Sequence, residues 1–123
     1  MDNKQIVIAF FEQAFNEREP ELAVEKYLGD PYIQHNPGAG DGPEPFLGYM
    51  RWVLGANPHL HVDIKKVIAE GDYVVTHSNL RNEPGDLGMA VADFFRLKDG
   101  KIVEHWDVIQ DVPAESANNN TMF

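Results

Sequence analysis

The dipeptide Asp99-Gly100 constrains this chain more than any other pair of residues. A two-residue turn of type I′ needs positive φ at both central positions, and Asp-Gly meets that need with little strain. Apolar residues flank it on both sides, from Asp93 to Lys98 and from Lys101 to Gln110. The stretch therefore reads as two strands joined by a tight turn. Asp93, His105 and Asp107 fall within those strands, in segments that should be at least half buried. Burying even a neutral polar group without a partner costs roughly 2–7 kcal/mol. A sheet face carrying acids and an imidazole is thus either a satisfied structural network or the wall of a pocket.

What surrounds the hairpin is bounded by size and charge. A chain of 123 residues supports one domain with one core. Its 43% hydrophobic and 24% charged content is that of a soluble globular protein. The net charge of −10 argues against a nucleic-acid partner and gives no pull toward anionic membranes. With no cysteine, thiolate nucleophiles, disulfides, iron–sulfur clusters and zinc–thiolate sites are excluded. That composition fits a reducing cytosol, and a cytoplasmic location is the expectation. Met1 to Gln5 lacks the basic start and apolar run of a signal peptide, and no segment reaches the roughly 18 apolar residues of a membrane span.

Upstream of the hairpin, periodicity predicts three helices. Residues 3–17 place Ile6, Val7, Phe10, Phe11, Ala14 and Phe15 on one broad stripe, capped by Asp2 or Asn3. Pro20 suits the first turn of a second helix over about 20–27, ended by Gly29-Asp30-Pro31. A third, over about 43–56, carries Phe46, Leu47, Met50, Val53 and Leu54, broadened by Tyr49 and Trp52. Four strands follow, over His59–Ala69, Tyr73–Leu80, Met89–Leu97 and Ile102–Gln110. Helices first and then an antiparallel meander give an α+β domain, with helices packed on one face of a curved sheet. The domain spans 1–111; residues 112–123 read as a tail that is mobile or docks on a partner.

Two local runs carry polar groups worth weighing. Tyr32-Ile33-Gln34-His35-Asn36-Pro37 reads either as a short edge strand with turn-forming Asn36 and Pro37, or as a pocket rim presenting His35 inward. His59-Leu60-His61-Val62-Asp63 places three potential ligands on one strand face. At about 3.3 Å per residue they span too far to share one ion, and no metal site is expected.

The Tyr32–Pro37 run, then Gly48 and its aromatic helix, then Asp93-Phe94-Phe95-Arg96 with Gly100 through Gln110, resemble the SnoaL-like polyketide cyclases of the nuclear transport factor 2-like superfamily. The resemblance covers Lys4 to about Asp111. It implies a cone-shaped α+β barrel in which a bent antiparallel sheet wraps three helices around a pocket. It also implies homodimers through the outer sheet face, and ring closure by aldol condensation with neither metal nor cofactor. By position, the family's acid/base carboxylate matches Asp107. Asp93 stands where the cyclases usually carry histidine, and the cyclases' pocket asparagine falls somewhere in Gln34-His35-Asn36.

The chemistry agrees with that assignment. Aldol closure removes a proton next to a carbonyl and supplies one to the new alkoxide. Asp107, His35 and Asp93 are the catalytic candidates. Tyr32, Gln34, Asn36, His77, His105, Trp106 and Trp52 are expected around a small hydrophobic substrate. His105 and Asp107 alternate onto one face, both inward or both outward unless a bulge intervenes. Counting out from the turn, Asp93 lies opposite Trp106 or Asp107, giving an Asp93–Asp107 or an Asp93–His105 neighbour relation. The competing reading is a non-catalytic ligand-binding or dimerisation module of the same fold.

Overall fold

The computed structural model describes residues 1–123. Helix α1 (Asn3–Phe11) opens with a capping box, in which Asp2 accepts from the Gln5 backbone N–H and the Gln5 side chain accepts from the Asp2 backbone. The helix does not run on to residue 17 in one geometry. It widens into a π-helical turn, Glu12–Asn16. Asn16 then reaches the sheet, accepting from the Val62 N–H at 2.9 Å and donating to the Val62 carbonyl at 3.0 Å. Helix α2 (Pro20–Tyr27) starts at the proline, and α3 (Pro43–Ala56) starts just after Gly42.

Five strands, not four, form the sheet: β1 (Leu28–Gln34), β2 (His61–Glu70), β3 (Tyr73–Arg81), β4 (Met89–Lys98) and β5 (Lys101–Asp111), in the order β1-β5-β4-β3-β2. The added strand is β1, which pairs parallel to β5. Gly29-Asp30-Pro31 ends the helix as expected, yet it lies inside this strand. A proline is tolerated there because β1 is an edge, where one missing N–H breaks no ladder. The other strands form the expected antiparallel meander, and Asp99 (φ 51°) and Gly100 (φ 77°) both take the positive φ that the β4–β5 turn requires.

Helices and sheet meet in a core built on Phe10 and Phe11, whose rings meet Phe95 of β4 edge-on at 6.5 and 5.5 Å. Met50, Val7, Val74, Leu97 and Ile102 fill the space around them with no more than 1% exposure. Each such side chain contributes about 1.5–3 kcal/mol through burial.

Two bulges set which residues face that core. In β2 the register slips between Ile64 and Lys66, so Val62 and Ile64 face inward before the slip and Val67 after it. In β5 the pairs Leu97–Ile102 and Arg96–Glu104 leave Val103 as the extra residue. Without it, Glu104 and Trp106 would fall on the inner face. With it, His105 and Asp107 do, and Asp93 pairs directly with Asp107.

Candidate active site

Where the sheet curls away from the helices it leaves a cavity of about 400 Å³. One part of its wall is apolar, with Phe10, Phe15, Phe46, Leu80, Met89 and Ile109 among the lining side chains. The other is polar, and strands β1, β4 and β5 supply it. Alternation along β1 and the residues after it turns Tyr32, Gln34 and Asn36 inward and Ile33 and His35 outward. Two contacts tie the following loop back to that strand: Gly42 N–H donates to the Tyr32 carbonyl at 2.9 Å, and Gln34 N–H to Asp41 at 2.8 Å. Asp93, His105 and Asp107 arrive from β4 and β5.

The polar groups form one network. Asn36 Nδ2 donates to both oxygens of Asp107, at 2.9 and 3.1 Å. His105 Nε2 lies 2.7 Å from Asp93 Oδ1 and 4.0 Å from Asp107 Oδ2. The other ring nitrogen, Nδ1, meets Gln34 Oε1 at 2.8 Å. That oxygen also accepts the Asn36 backbone N–H, at 3.0 Å, while Gln34 Nε2 donates to the Tyr32 hydroxyl at 3.3 Å. Both expected relations of Asp93 therefore occur together: it pairs with Asp107 along the ladder and bonds His105 diagonally.

Burial moves the ionisable groups here in one direction. Asp93 is only 6% exposed. Desolvation lifts its carboxyl above the usual range, and the nearby Asp107 adds to the rise, against the lowering effect of the His105 contact. Tyr32 and Tyr49 are pushed up as well, first by burial and then by the two aspartates. Both phenols are neutral at physiological pH.

The Asp93 shift has a measurable consequence. The folded state keeps a proton that the unfolded chain releases near 3.8. Folding therefore takes up a proton above that pH, and the contribution of Asp93 to stability falls as pH rises toward its raised folded value. Asp93→Asn, which imitates the protonated acid, is expected to remove this slope. In urea melts from pH 4 to 8, wild type should lose stability relative to the variant as pH climbs; parallel curves would contradict the assignment.

Four of the expected site residues lie elsewhere. His35 stacks on Trp106 on the outer sheet face, with ring centroids 4.6 Å apart, and its Nε2 bonds Glu104 at 2.7 Å. Arg96 donates to the same carboxylate at 2.7 Å. These two contacts, His35 first, hold the Glu104 acid below its usual range. His35 is turned outward because it is out of phase with Gln34 and Asn36, and Trp106 because it is out of phase with His105. His77 also faces outward, against Phe123 of the tail at 5.4 Å, and Lys65 stands over the same Phe123 ring. Trp52 is 68% exposed on α3. Of the His59-x-His61-x-Asp63 run, Asp63 pairs with Lys65 at 2.8 Å.

Tyr49 was not among the expected site residues, and it lines the cavity from α3. The alternating spacing of Tyr32, Gln34 and Asn36 was the signal that separates His35 from its neighbours. One ligand atom each from Asp93, His105 and Asp107 lies within 4.8 Å of the others. A divalent ion could be held there only by displacing the proton that joins His105 to Asp93.

Comparison with known proteins places the chain in a family. The model of the SnoaL-like domain matches residues 7–105. No curated protein sequence matches significantly. Among solved structures, IdmH of Streptomyces antibioticus, described as a proposed polyketide cyclase, is 23% identical with a TM-score of 0.71, covering 88% of this chain and 92% of its own. A proposed polyketide cyclase of Acidithiobacillus ferrooxidans is 20% identical with a TM-score of 0.69, over 89% and 91%. A SnoaL-like protein of unknown function from Burkholderia thailandensis is 19% identical with a TM-score of 0.71, over 89% and 98%. At these identities the likeness establishes a common fold. No helix of the chain is long and apolar enough to cross a membrane.

Proposed function

Because the chain belongs to the SnoaL-like domain family, we propose that it is a cofactor-independent enzyme of cyclase or isomerase type, acting on a small apolar carbonyl compound with Asp107 as acid/base. The observation that carries this reading is the Asp107 carboxylate. It is fixed through both oxygens by Asn36 and faces a largely apolar cavity of about 400 Å³. A carboxylate held in that way is oriented toward a substrate carbon without needing to search for it.

In the proposed step Asp107 takes a proton from the carbon next to the substrate carbonyl, leaving an enolate. The Tyr32 phenol lines the same cavity, and the one hydrogen bond it makes there is accepted from Gln34. Its own proton is free to meet the enolate oxygen. For isomerisation, protonated Asp107 returns the proton to another carbon. For aldol closure, the enolate carbon attacks a second carbonyl of the same molecule, and the resulting alkoxide takes the proton. Neither route has net oxidation or reduction, so neither requires a redox cofactor.

Exchange of the α-protons of 2-tetralone in D2O, followed by NMR, tests the common first step with a small apolar ketone. Catalysed exchange that survives dialysis against a chelator is the expected result. Binding of the ketone without exchange would favour the non-catalytic ligand-binding module instead.

The outer sheet face supports a second part of the proposal. Ile68, Val75, Phe94 and Trp106 stand in register across β2, β3, β4 and β5. Ile68 is 63% and Phe94 39% exposed. An apolar row of this kind suits a homodimer interface, formed in the cytoplasm as the composition suggests.

A further inference from the structure

The hydrogen bonds of Gln34 decide where one proton of the site resides. The Asn36 backbone N–H can only donate, so the Gln34 atom 3.0 Å from it is the amide oxygen. That same oxygen faces His105 Nδ1 at 2.8 Å. An oxygen with no hydrogen can only accept, so Nδ1 carries a hydrogen. In a neutral imidazole Nε2 is then a bare lone pair, and it points at Asp93 Oδ1 from 2.7 Å. The hydrogen in that short contact has to be brought by Asp93.

The alternative is an imidazolium between two carboxylates. It would place three charges in this pocket, on Asp93, His105 and Asp107. No lysine or arginine lines the cavity to offset the excess negative charge. The titratable groups that share the cavity with His105 are Asp93 from β4, Asp107 from β5 and the two neutral phenols, Tyr32 from β1 and Tyr49 from α3. Separating charge at a position as buried as Asp93 costs more than leaving the pair neutral. The desolvation that raises the Asp93 acid acts in the same sense.

We propose that Gln34 is a positioning residue: it locks His105 in the Nδ1–H tautomer, which keeps Asp93 protonated and leaves Asp107 as the one ionised acid of the trio. The hydrogen on Nδ1 follows from the hydrogen bonds, and the proton on Asp93 from the cost of separating charge in this pocket; the catalytic consequence rests on the acid/base reading of Asp107. Two neighbouring acids are thereby given different duties, one holding a proton and the other free to take one.

Protein labelled with 15N-histidine reads this directly. Long-range correlations from the ring carbon-bound protons distinguish a hydrogen-bearing nitrogen from a bare one, and His105→Asn assigns the signal among the five histidines. At pH 7 wild type should carry hydrogen on Nδ1 and none on Nε2. Hydrogen on Nε2 alone, or on both nitrogens, overturns the proposal. Gln34→Met keeps the side-chain length and removes the acceptor, and its His105 hydrogen should move to Nε2, where ionised Asp93 accepts it. Retention on Nδ1 removes Gln34 from the positioning role.

The same variant should shift the acid limb of 2-tetralone exchange upward by about one pH unit or more, because Asp107 then titrates beside a second carboxylate. An unmoved limb beside a switched tautomer would separate the histidine from catalysis and leave the proton placement intact. Should Gln34→Met fail to fold, the wild-type spectrum alone upholds or overturns the tautomer.

Discussion

Asp107→Asn is expected to lower 2-tetralone exchange by about 10²–10⁴-fold, the span that a positioned acid/base group contributes. The same variant should leave binding almost unchanged. Asparagine occupies the same volume, and its carbonyl can still accept from the Asn36 amide, which now bonds both Asp107 oxygens at 2.9 and 3.1 Å. The second of those bonds is lost, so a destabilisation of about 1 kcal/mol is the expected limit. Affinity for 2-naphthol, a flat and non-exchanging analogue of the enol, should stay within about a factor of three, less than 1 kcal/mol. Exchange kinetics and naphthol fluorescence, measured on one preparation, separate the two effects. Undiminished exchange would remove Asp107 from the chemistry. Exchange and binding lost together would make it a binding residue and return the protein to the ligand-binding reading.

That test can be stated on one residue because much of the fold is written locally. The Asp99-Gly100 turn, the three helical stripes and the meander each follow from patterns within a few residues. The fifth strand was harder to read. Leu28 to Gln34 contains glycine and proline, and it becomes a strand only because a distant segment, β5, offers a parallel edge to pair with. The site was legible in composition but not in facing. Asp93, Asp107, Gln34 and Asn36 could be named from the sequence, and strict alternation explains why His35 was the wrong neighbour to choose. Alternation could not place Asp93 against Asp107, because one extra residue at Val103 reverses every side chain beyond it. Gly29, some 70 residues away, leaves open the space into which the bulged Val103 side chain fits.

Gly29→Ala tests that dependence. A methyl group on Gly29 would stand 2.8 Å from Val103 Cγ1 and 3.0 Å from Lys101 Cβ, against ordinary carbon contacts of about 3.5–4.0 Å. Val103 is β-branched and 6% exposed, so it has few rotamers to escape into. Losing the bulge would relieve the clash, but it would turn Glu104 and Trp106 inward and expel His105 and Asp107. Placing the Glu104 charge without its Arg96 and His35 partners against the core is far more costly than separating two strands. The edge strand β1 should therefore yield, taking Tyr32, Gln34 and Asn36 with it. Overpacking of this size costs about 1–3 kcal/mol, a fall in melting midpoint of roughly 5–15 °C for a domain of this length. Exchange should fall by at least about tenfold, since a 1 Å displacement of positioning groups is enough to do so. Adding Val103→Ala removes the offending Cγ1. The double variant should thus be more stable than the sum of the two single losses by roughly 0.5–3 kcal/mol. Strict additivity in thermal melts would mean that Gly29 and Val103 do not meet as the structure has them, and the register that brings Asp93 opposite Asp107 would lose its support.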